Sequence, residues 1–521
     1  MTNPIKNKKK INVSNKLNDL TAKEWLINTK SVWKYTDYHL IKNERKDEKE
    51  IRHLRNLILF FTKKNNTILN PNNNKKIKII GERERRIVLT KAKKEVDFIL
   101  IQANRDFHNL MLYEDMLLSD KFKSEFIHYF HILKSEKYLC VMVRDFYPQK
   151  NSGLILYHYD LANLLINIGF NLKALTVWIP GDERDSISIN NPNVSIINDY
   201  FLILRKEKKK KEAPDNKQLE FQFNYDEKKI LAENTLYYDS YIKSITPTRD
   251  KFKVQHPATF PEPDIKNLIE FYTDTSKKPK ILDPFSGVGS TLIACLELNV
   301  EGYGIELTKK WINLTKHRFF SRGMPIKING RKFTPQQKPL DLFMDEEGKK
   351  NQLIQNVEQG DAIEKIPLFP DNYFDFIVTS PPYWGILTKK IDHKTKKERV
   401  DKGFETKYTI EGKDKTFHKD LANIESYTKF LNQLKIIYKH CYKKLKNLGY
   451  GALLVSDFRN GPDFYLYHGD TANILKNIGF KLTGLTVLHQ DNKKLYPYGY
   501  PYSFVSNIHH QFIIIVKKEE V

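Results

Sequence analysis

A chain of 521 residues is too long for one ordinary domain and predicts two or three, and with 40% hydrophobic and 12% aromatic residues it excludes disorder of the whole. Lys plus Arg number 87 against 63 Asp plus Glu, a formal +24 that favours a polyanion such as nucleic-acid phosphate, although a Lys-rich proteome bias accounts for it equally well. Three scattered cysteines (Cys140, Cys295, Cys441), no His cluster at zinc spacing and no apolar run near the ~18 residues of a membrane span argue against a disulfide framework, a metal site or a membrane segment, and fit a reducing cytoplasm.

In chain order, MTNPIKNKKKINVSNK is basic without an apolar h-region, so residues 1–19 read as a disordered basic leader rather than a signal peptide. Then come IRHLRNLILFFTKKNNTILNP (51–71), VDFILIQANRD (96–106), VRDFY (143–147) and ILYHYDLANLLINIGFNLKA (155–174). The stretch RKEKKKKEAPDNKQ (205–218) is charged, almost free of large apolar residues and carries a proline; it reads as part of a linker over 208–245. The earlier segments then return in order as IKNLIEFYTDTSKKPKILDP (265–284), FDFIVTSPPYW (374–384), VSDFR (455–459) and YLYHGDTANILKNIGFKLTG (465–484). Tyr-His, Asp, Ala-Asn, Leu and Asn-Ile-Gly-Phe recur in register, so 20–207 is a worn copy of 246–521.

Within the second copy, strand-like KILDPF, GYGIEL, FDFIVTS, YGALLVSDF and QFIIIVKK alternate with helical patterns such as TLIACLEL and SYTKFLNQLKIIYKHCYKKL. That alternation predicts a parallel, doubly wound α/β sheet. ILDPFSGVGSTLIAC (281–295) sets Gly287 and Gly289 between a strand and a helix, where the backbone turns tightly and the helix N–H groups face a ligand. Glu306, about twenty positions on, stands at a strand end with the spacing of a ribose-diol ligand. Asp361 in QGDAIEKI is placed to hydrogen-bond an adenine amino group, and it reads equally as an N-cap for AIEKI.

TSPPYW (379–384) follows the strand FDFIV, at the carboxyl end of the sheet beside that crevice. Two prolines stiffen the backbone and fix the direction of its carbonyls. Methyl transfer to an aryl amine needs the nitrogen lone pair localised and aimed. The Ser380 hydroxyl and Pro381 carbonyl are candidate acceptors for the amino protons, and Tyr383 is a candidate stacking platform. The amino group of a paired base is occupied, so the target has to leave the duplex.

DPFSGVGST together with TSPPYW resembles the amino-directed DNA methyltransferase family, the N4-cytosine and N6-adenine enzymes. The resemblance implies a Rossmann-like class I methyltransferase fold: a seven-stranded, mostly parallel sheet with an antiparallel last strand, here duplicated with a degenerate N-terminal copy. YPYGYPYSFVSNIHHQFIIIVKK (496–518) then forms the final hairpin. It implies S-adenosylmethionine as cofactor, with Asp283, Phe285, Gly287, Gly289 and Thr291 in the cofactor loop, Glu306 on the ribose and Asp361 on the adenine. HPATFPEPDIKNLI, with His256 and Phe260, is similar to the family's motif at the methionine end. Ser380, Pro381, Pro382 and Tyr383 correspond to the target-base motif, and Ser at its head is similar to the N4-cytosine members. The implied partners are double-stranded DNA with a flipped base and a cognate restriction endonuclease. N6-adenine or RNA amino-group methylation and a non-enzymatic DNA-binding relative are the alternatives. A C5-cytosine mechanism needs a Cys nucleophile, and none of the three cysteines lies in such a motif.

In the worn copy NPNNNKKIKIIGERE replaces the glycine loop and IQANR (101–105) replaces TSPPY, which predicts neither cofactor crevice nor base clamp there, and a structural or DNA-positioning role instead. The Lys-rich stretch 387–419 offers Lys389, Lys390, Lys396, Lys397 and Arg399 as phosphate contacts, or a solvated flap. His468 has a counterpart, His158, in the copy that lost the motifs, so HGD reads as structural rather than metal-binding. QDNKKLYPYGYPY (490–502) reads as packing in preference to lining a base pocket.

Overall fold

The computed structural model describes residues 15–34, 52–102, 120–147, 152–179, 198–208, 241–244, 260–335, 352–385, 419–490, 493 and 495–520. In the first unit, β1 (Val32–Lys34), β2 (Thr67–Leu69), β3 (Ile87–Leu89), β4 (Val96–Gln102), β5 (Leu133–Val143), β6 (Asn171–Ile179) and β7 (Asp199–Arg205) form one sheet ordered β1-β6-β7-β5-β4-β2-β3. The second unit contributes β8 (Tyr241–Lys243), β9 (Lys280–Asp283), β10 (Glu301–Glu306), β11 (Ile326–Ile328), β12 (Arg331–Phe333), β13 (Gln355–Gln359), β14 (Phe374–Thr379), β15 (Leu445–Val455), β18 (Phe480–His489) and β19 (His510–Lys518), with a β16–β17 hairpin (Phe458–Asn460, Asp463–Tyr465) outside the sheet. Its order is β12-β11-β13-β10-β9-β14-β15-β19-β18-β8.

Stripped of β12, β11 and β8, the second sheet is the expected seven strands, with β19, last in the chain, antiparallel to both neighbours. The first sheet repeats the run β10-β9-β14-β15-β19-β18-β8 as β3-β2-β4-β5-β7-β6-β1, again with its last strand antiparallel. It has no counterpart of β13 among the described residues. The copies share even their irregularities: β4–β5 slips register between Val96 and Phe98 where β14–β15 slips between Phe374 and Phe376. Beside each slip a carboxylate braces the sheet. Asp97 accepts from Thr67 N at 3.0 Å and Lys134 Nζ at 2.9 Å; Asp375 accepts from Lys280 N at 2.8 Å and Lys446 Nζ at 2.5 Å.

The central strands are buried on both faces, which is why they read as continuous apolar runs such as FDFIV rather than alternating ones. One apolar cluster joins both units, with Leu139, Val141 and Leu175 of the first alongside Leu453, Val455 and Phe512 of the second. At the seam His158 Nε2 lies 2.8 Å from His468 Nε2, both rings fully buried. Each ring is held through Nδ1 by an aspartate of its own unit, Asp145 at 2.7 Å and Asp457 at 2.6 Å. Each also stacks on an aromatic ring of its own unit's antiparallel strand, Tyr200 or Phe512. The 2.8 Å approach of two ring nitrogens requires one proton between them.

Three boundaries differ from the sequence reading. Asn15–Asp19, expected in the leader, are packed: Leu17 is buried and Asn18 Nδ2 donates to Phe60 O at 2.6 Å. Tyr241–Lys243, expected in the linker, pairs in parallel with β18. The final hairpin is β18 with β19, and 495–509 connects them by packing on the first unit, Tyr500 against Trp25 and Phe504 against Phe60 and Phe61. The rest of the leader and most of the linker lie outside the described residues. No helix among the described residues is long and apolar enough to cross a membrane.

Candidate active site

The strand β9 delivers Asp283 to the carboxyl edge of the sheet, and the chain turns through Pro284–Gly289 into the helix Ser290–Leu298. Gly287 (φ 52°) and Gly289 (φ 73°) are left-handed, and a Cβ on Gly289 would come within 2.5 Å of Thr315 Cγ2, so both the turn and the packing demand glycine. Asp283 is buried and fastens the loop: it accepts from Phe285 N at 3.1 Å, Thr291 Oγ1 at 2.5 Å and Thr379 Oγ1 at 2.6 Å. Burial pushes its carboxyl up, against the pull of the two threonine hydroxyls. The last of those bonds ties the glycine loop to the strand that carries TSPPYW.

Glu306 ends β10. Its two oxygens accept from Gly287 N at 3.0 Å and Thr308 N at 2.7 Å, and burial above all pushes its carboxyl up to about 8. Asp361 caps the short helix Ala362–Lys365 by accepting from Ile363 N at 2.9 Å, and it also lines the cleft.

Ser380–Tyr383 follow β14. Tyr467 OH donates to Pro382 O at 3.1 Å, Gln511 Nε2 donates to Tyr383 OH at 3.2 Å, and Trp384 Nε1 donates to Ile424 O at 2.7 Å. Burial pushes the Tyr383 hydroxyl up to about 12, with the Ser380 side chain among its hydrogen-bond partners. Pro382 thus serves to hold the turn, and Ser380 and Pro381 line the cleft beside it.

Both sets of residues line one open cleft. Phe260, Asp283, Phe285, Gly287, Thr291, Glu306 and Asp361 line it together with Ser380, Pro381, Pro382 and Tyr383. Gly289 is the N-cap behind the loop. His256, Lys389, Lys390, Lys396, Lys397 and Arg399 lie outside the described residues.

Sequence reading missed several contributors. Trp311, buried against Val288 and Leu314, and Thr308 complete the wall below Glu306; Asp420, Leu421 and Ile437 close the far side. Burial raises the Asp420 carboxyl, which also caps a short 3₁₀ turn through Ala422 N. Arg318, buried, donates to Val288 O at 2.6 Å and pairs with Glu262 at 2.5 Å, clamping the segment that begins at Phe260 onto the glycine loop. A lone arginine in an amphipathic helix carries no such signal; only the fold shows where it points.

Among the described residues no group of His, Cys, Asp and Glu could hold a metal ion. His509 and His510 instead meet Ser31 Oγ of the first unit at 3.0 and 2.8 Å. The three cysteines are buried and none lines the cleft. At the equivalent place in the first unit Asn70 stands for Asp283 and accepts from Asn74 N, while Asn74 Nδ2 donates to Gln102 Oε1 at 2.5 Å, where the second unit has Ser380.

The sequence model of a family described as DNA methylase matches residues 103–317, from the first unit's replacement for TSPPYW through the glycine loop and Glu306. The chain is 35% identical over 97 residues to the type II beta methyltransferase M.BslI of Bacillus sp. (strain NEB-606), covering 17% of this chain and 10% of that protein. It is 26% identical over 177 residues to the type II methyltransferase M.SmaI of Serratia marcescens, covering 33% of this chain and 54% of that protein. The chain therefore spans from a tenth to about half of these relatives. Among solved structures, a SAM-dependent methyltransferase of Methanosarcina mazei matches with 14% identity and a TM-score of 0.28, over 49% of this chain and 98% of that one.

Proposed function

We propose that this chain, which belongs to the amino-directed DNA methyltransferase family, transfers a methyl group from S-adenosylmethionine to the exocyclic N4 of a cytosine in DNA. The observation that carries the reading is the shared cleft: the glycine loop and Glu306 line the same opening as Ser380–Tyr383. The residues fit the cofactor. Glu306 at the strand end suits a ribose diol, Asp361 suits the adenine amino group, and the start of the helix Ser290–Leu298 suits a carboxylate.

When bound, the cofactor supplies a sulfonium-activated methyl group. The chain's own part is orientation. Ser380 Oγ and the Pro381 carbonyl accept from the amino group and turn its lone pair toward the cofactor side of the cleft, while Tyr383 stacks on the extruded base. The new N–C bond forms as the donor's S–C bond breaks, and the amino proton leaves to solvent. Tyr383, held with its hydroxyl protonated, is a platform rather than a base.

Ser at the head of the motif favours cytosine over adenine. The names of the relatives, type II methyltransferases, support a restriction–modification setting with a partner endonuclease. Sequencing native DNA from an expressing host with detection of modified bases tests the reading directly. N4-methylcytosine at a defined site is expected; N6-methyladenine corrects the target, and no modified base with the full chain expressed overturns the activity.

A further inference from the structure

The first unit reaches the base motif of the second through the helix Tyr467–Ile478. That helix reaches the motif directly from Tyr467 and indirectly through Tyr427. Tyr467 OH donates to Pro382 O at 3.1 Å. Asp470 Oδ2 accepts from Tyr427 OH at 2.7 Å, and the Tyr427 ring packs on Trp384 with centroids 5.3 Å apart. The other oxygen, Asp470 Oδ1, accepts from Tyr159 OH of the first unit at 2.7 Å. Alongside, His468 meets His158 at 2.8 Å.

The contact is built into the sequence of both copies. Tyr159 and Gly469 are equivalent positions, YHY in one unit and YHG in the other. A Cβ on Gly469 would lie 2.0 Å from Tyr159 Cδ2, so the missing side chain makes room for the ring that delivers the hydroxyl. The Asp470 carboxyl is raised by burial and pulled back by the two tyrosine hydroxyls, which are its compensation for leaving water.

We propose that the first unit acts as a positioning element for the base clamp, with Tyr159 as the positioning residue: through Asp470 it fixes the helix that holds Pro382 and, through Tyr427, Trp384. This rests on the reading of Ser380–Tyr383 as the target-base motif. Tyr159 does not line the cleft and touches none of the glycine loop, so its effect falls on the base side and spares the cofactor side. Loss of its hydroxyl leaves a buried carboxylate with one donor fewer and frees the helix to turn, and small displacements of a positioned group are expensive in rate.

The test uses the full chain and two matched variants, Tyr159→Phe and Tyr147→Phe. Tyr147 OH also bridges the units, donating to Thr483 O at 2.9 Å, but on β18 rather than on the helix Tyr467–Ile478. Methyl transfer to duplex DNA, S-adenosylmethionine affinity by calorimetry, and amide exchange of the segment 379–385 are measured for each. Tyr159→Phe is expected to lower kcat on the order of tenfold, leave cofactor affinity within about twofold and speed exchange at 379–385, while Tyr147→Phe does none of these. Asp470→Asn, which attacks the same bond from its other end, is expected to follow Tyr159→Phe. Equal losses in both tyrosine variants, or unchanged exchange and kcat in Tyr159→Phe, overturn the inference. A wild-type chain that transfers no methyl group, with exchange at 379–385 still faster in Tyr159→Phe alone, overturns the proposed function and leaves the positioning role standing.

Discussion

Glu306 gives the sharpest test of the cofactor site because its carboxyl is held at about 8, far above its ordinary 4.5. Burial is the first cause, Asp420 adds to it, and the amides of Thr308 and Gly287 oppose it. A ribose diol donates two hydrogen bonds, so the carboxylate, not the acid, is the form that binds it. With a free-state value near 8, roughly 1% of the protein is ionised at Glu306 at pH 6 and half at pH 8. If the ligand captures the ionised form, the Kd for S-adenosylmethionine tightens by ~50-fold across that interval and levels off above it. Stability of the free chain runs the other way. A carboxyl raised on folding contributes fully below about 4.5 and loses that contribution as pH rises through about 8. Calorimetric titration at a series of pH values, on wild type and on Glu306→Gln, measures the slope and cancels any titration of the ligand itself. The variant keeps an acceptor for Gly287 N but carries no titrating group, so its curve is expected to be flatter by the whole Glu306 contribution. Superimposable curves would refute the ribose assignment.

Tyr383→Ala removes the stacking platform and is expected to weaken productive DNA binding by ~1–3 kcal/mol with cofactor Kd unchanged, whereas Tyr383→Phe, losing only the bond from Gln511, changes little; steady-state kinetics with varied DNA reads both. Arg318→Met removes the donor to Val288 O and the cation beside Glu262 at the glycine loop and is expected to lower unfolding free energy by ~3–5 kcal/mol, as read from urea denaturation. Gly469→Ala drives a methyl group into the Tyr159 ring and is expected to destabilise by ~1–3 kcal/mol, partly relieved by Tyr159→Ala, as read from thermal melts of the single and double variants.

The parts of the fold legible in the sequence are those with local signatures. β9, β14 and the second half of β15 announce themselves as apolar runs because they are covered on both faces, and the glycine loop because its two positive φ angles favour glycine. The duplication is legible because the helices Tyr157–Ile168 and Tyr467–Ile478 keep the same seam residues and the same left-handed glycine ends, Gly169 and Gly479. What escaped is what depends on long-range placement. Arg318, Trp311 and Asp420 reach the cleft only through helix rotation and chain return, and no spacing rule ties Arg318 to Glu262, 56 positions away. The strand β8 was hidden because three residues at a sheet edge carry too little pattern to stand out from a charged stretch. The resemblance places 496–509 in the final hairpin; Tyr500 and Phe504 instead pack on the core of the first unit, in keeping with the reading of 490–502 as packing.

The seam also explains why fusion of the copies changed what they can do. His158 and His468 are equivalent residues in mutual contact, so the pseudo-two-fold axis passes between them, and a His–His pair sharing one proton suits either a symmetric dimer or a fused one. Tyr159 and Gly469, one residue along, cannot both be explained that way. In a dimer of identical chains that position would be tyrosine twice, with rings competing for one space, or glycine twice, with no ring there and no hydroxyl for Asp470. Only two halves free to differ can place a ring on one side and a space on the other. Once on one chain, the first half is free to carry Asn70, Asn74 and Gln102 where the second keeps Asp283 and Ser380, and to turn Tyr159 toward Asp470 of the other half.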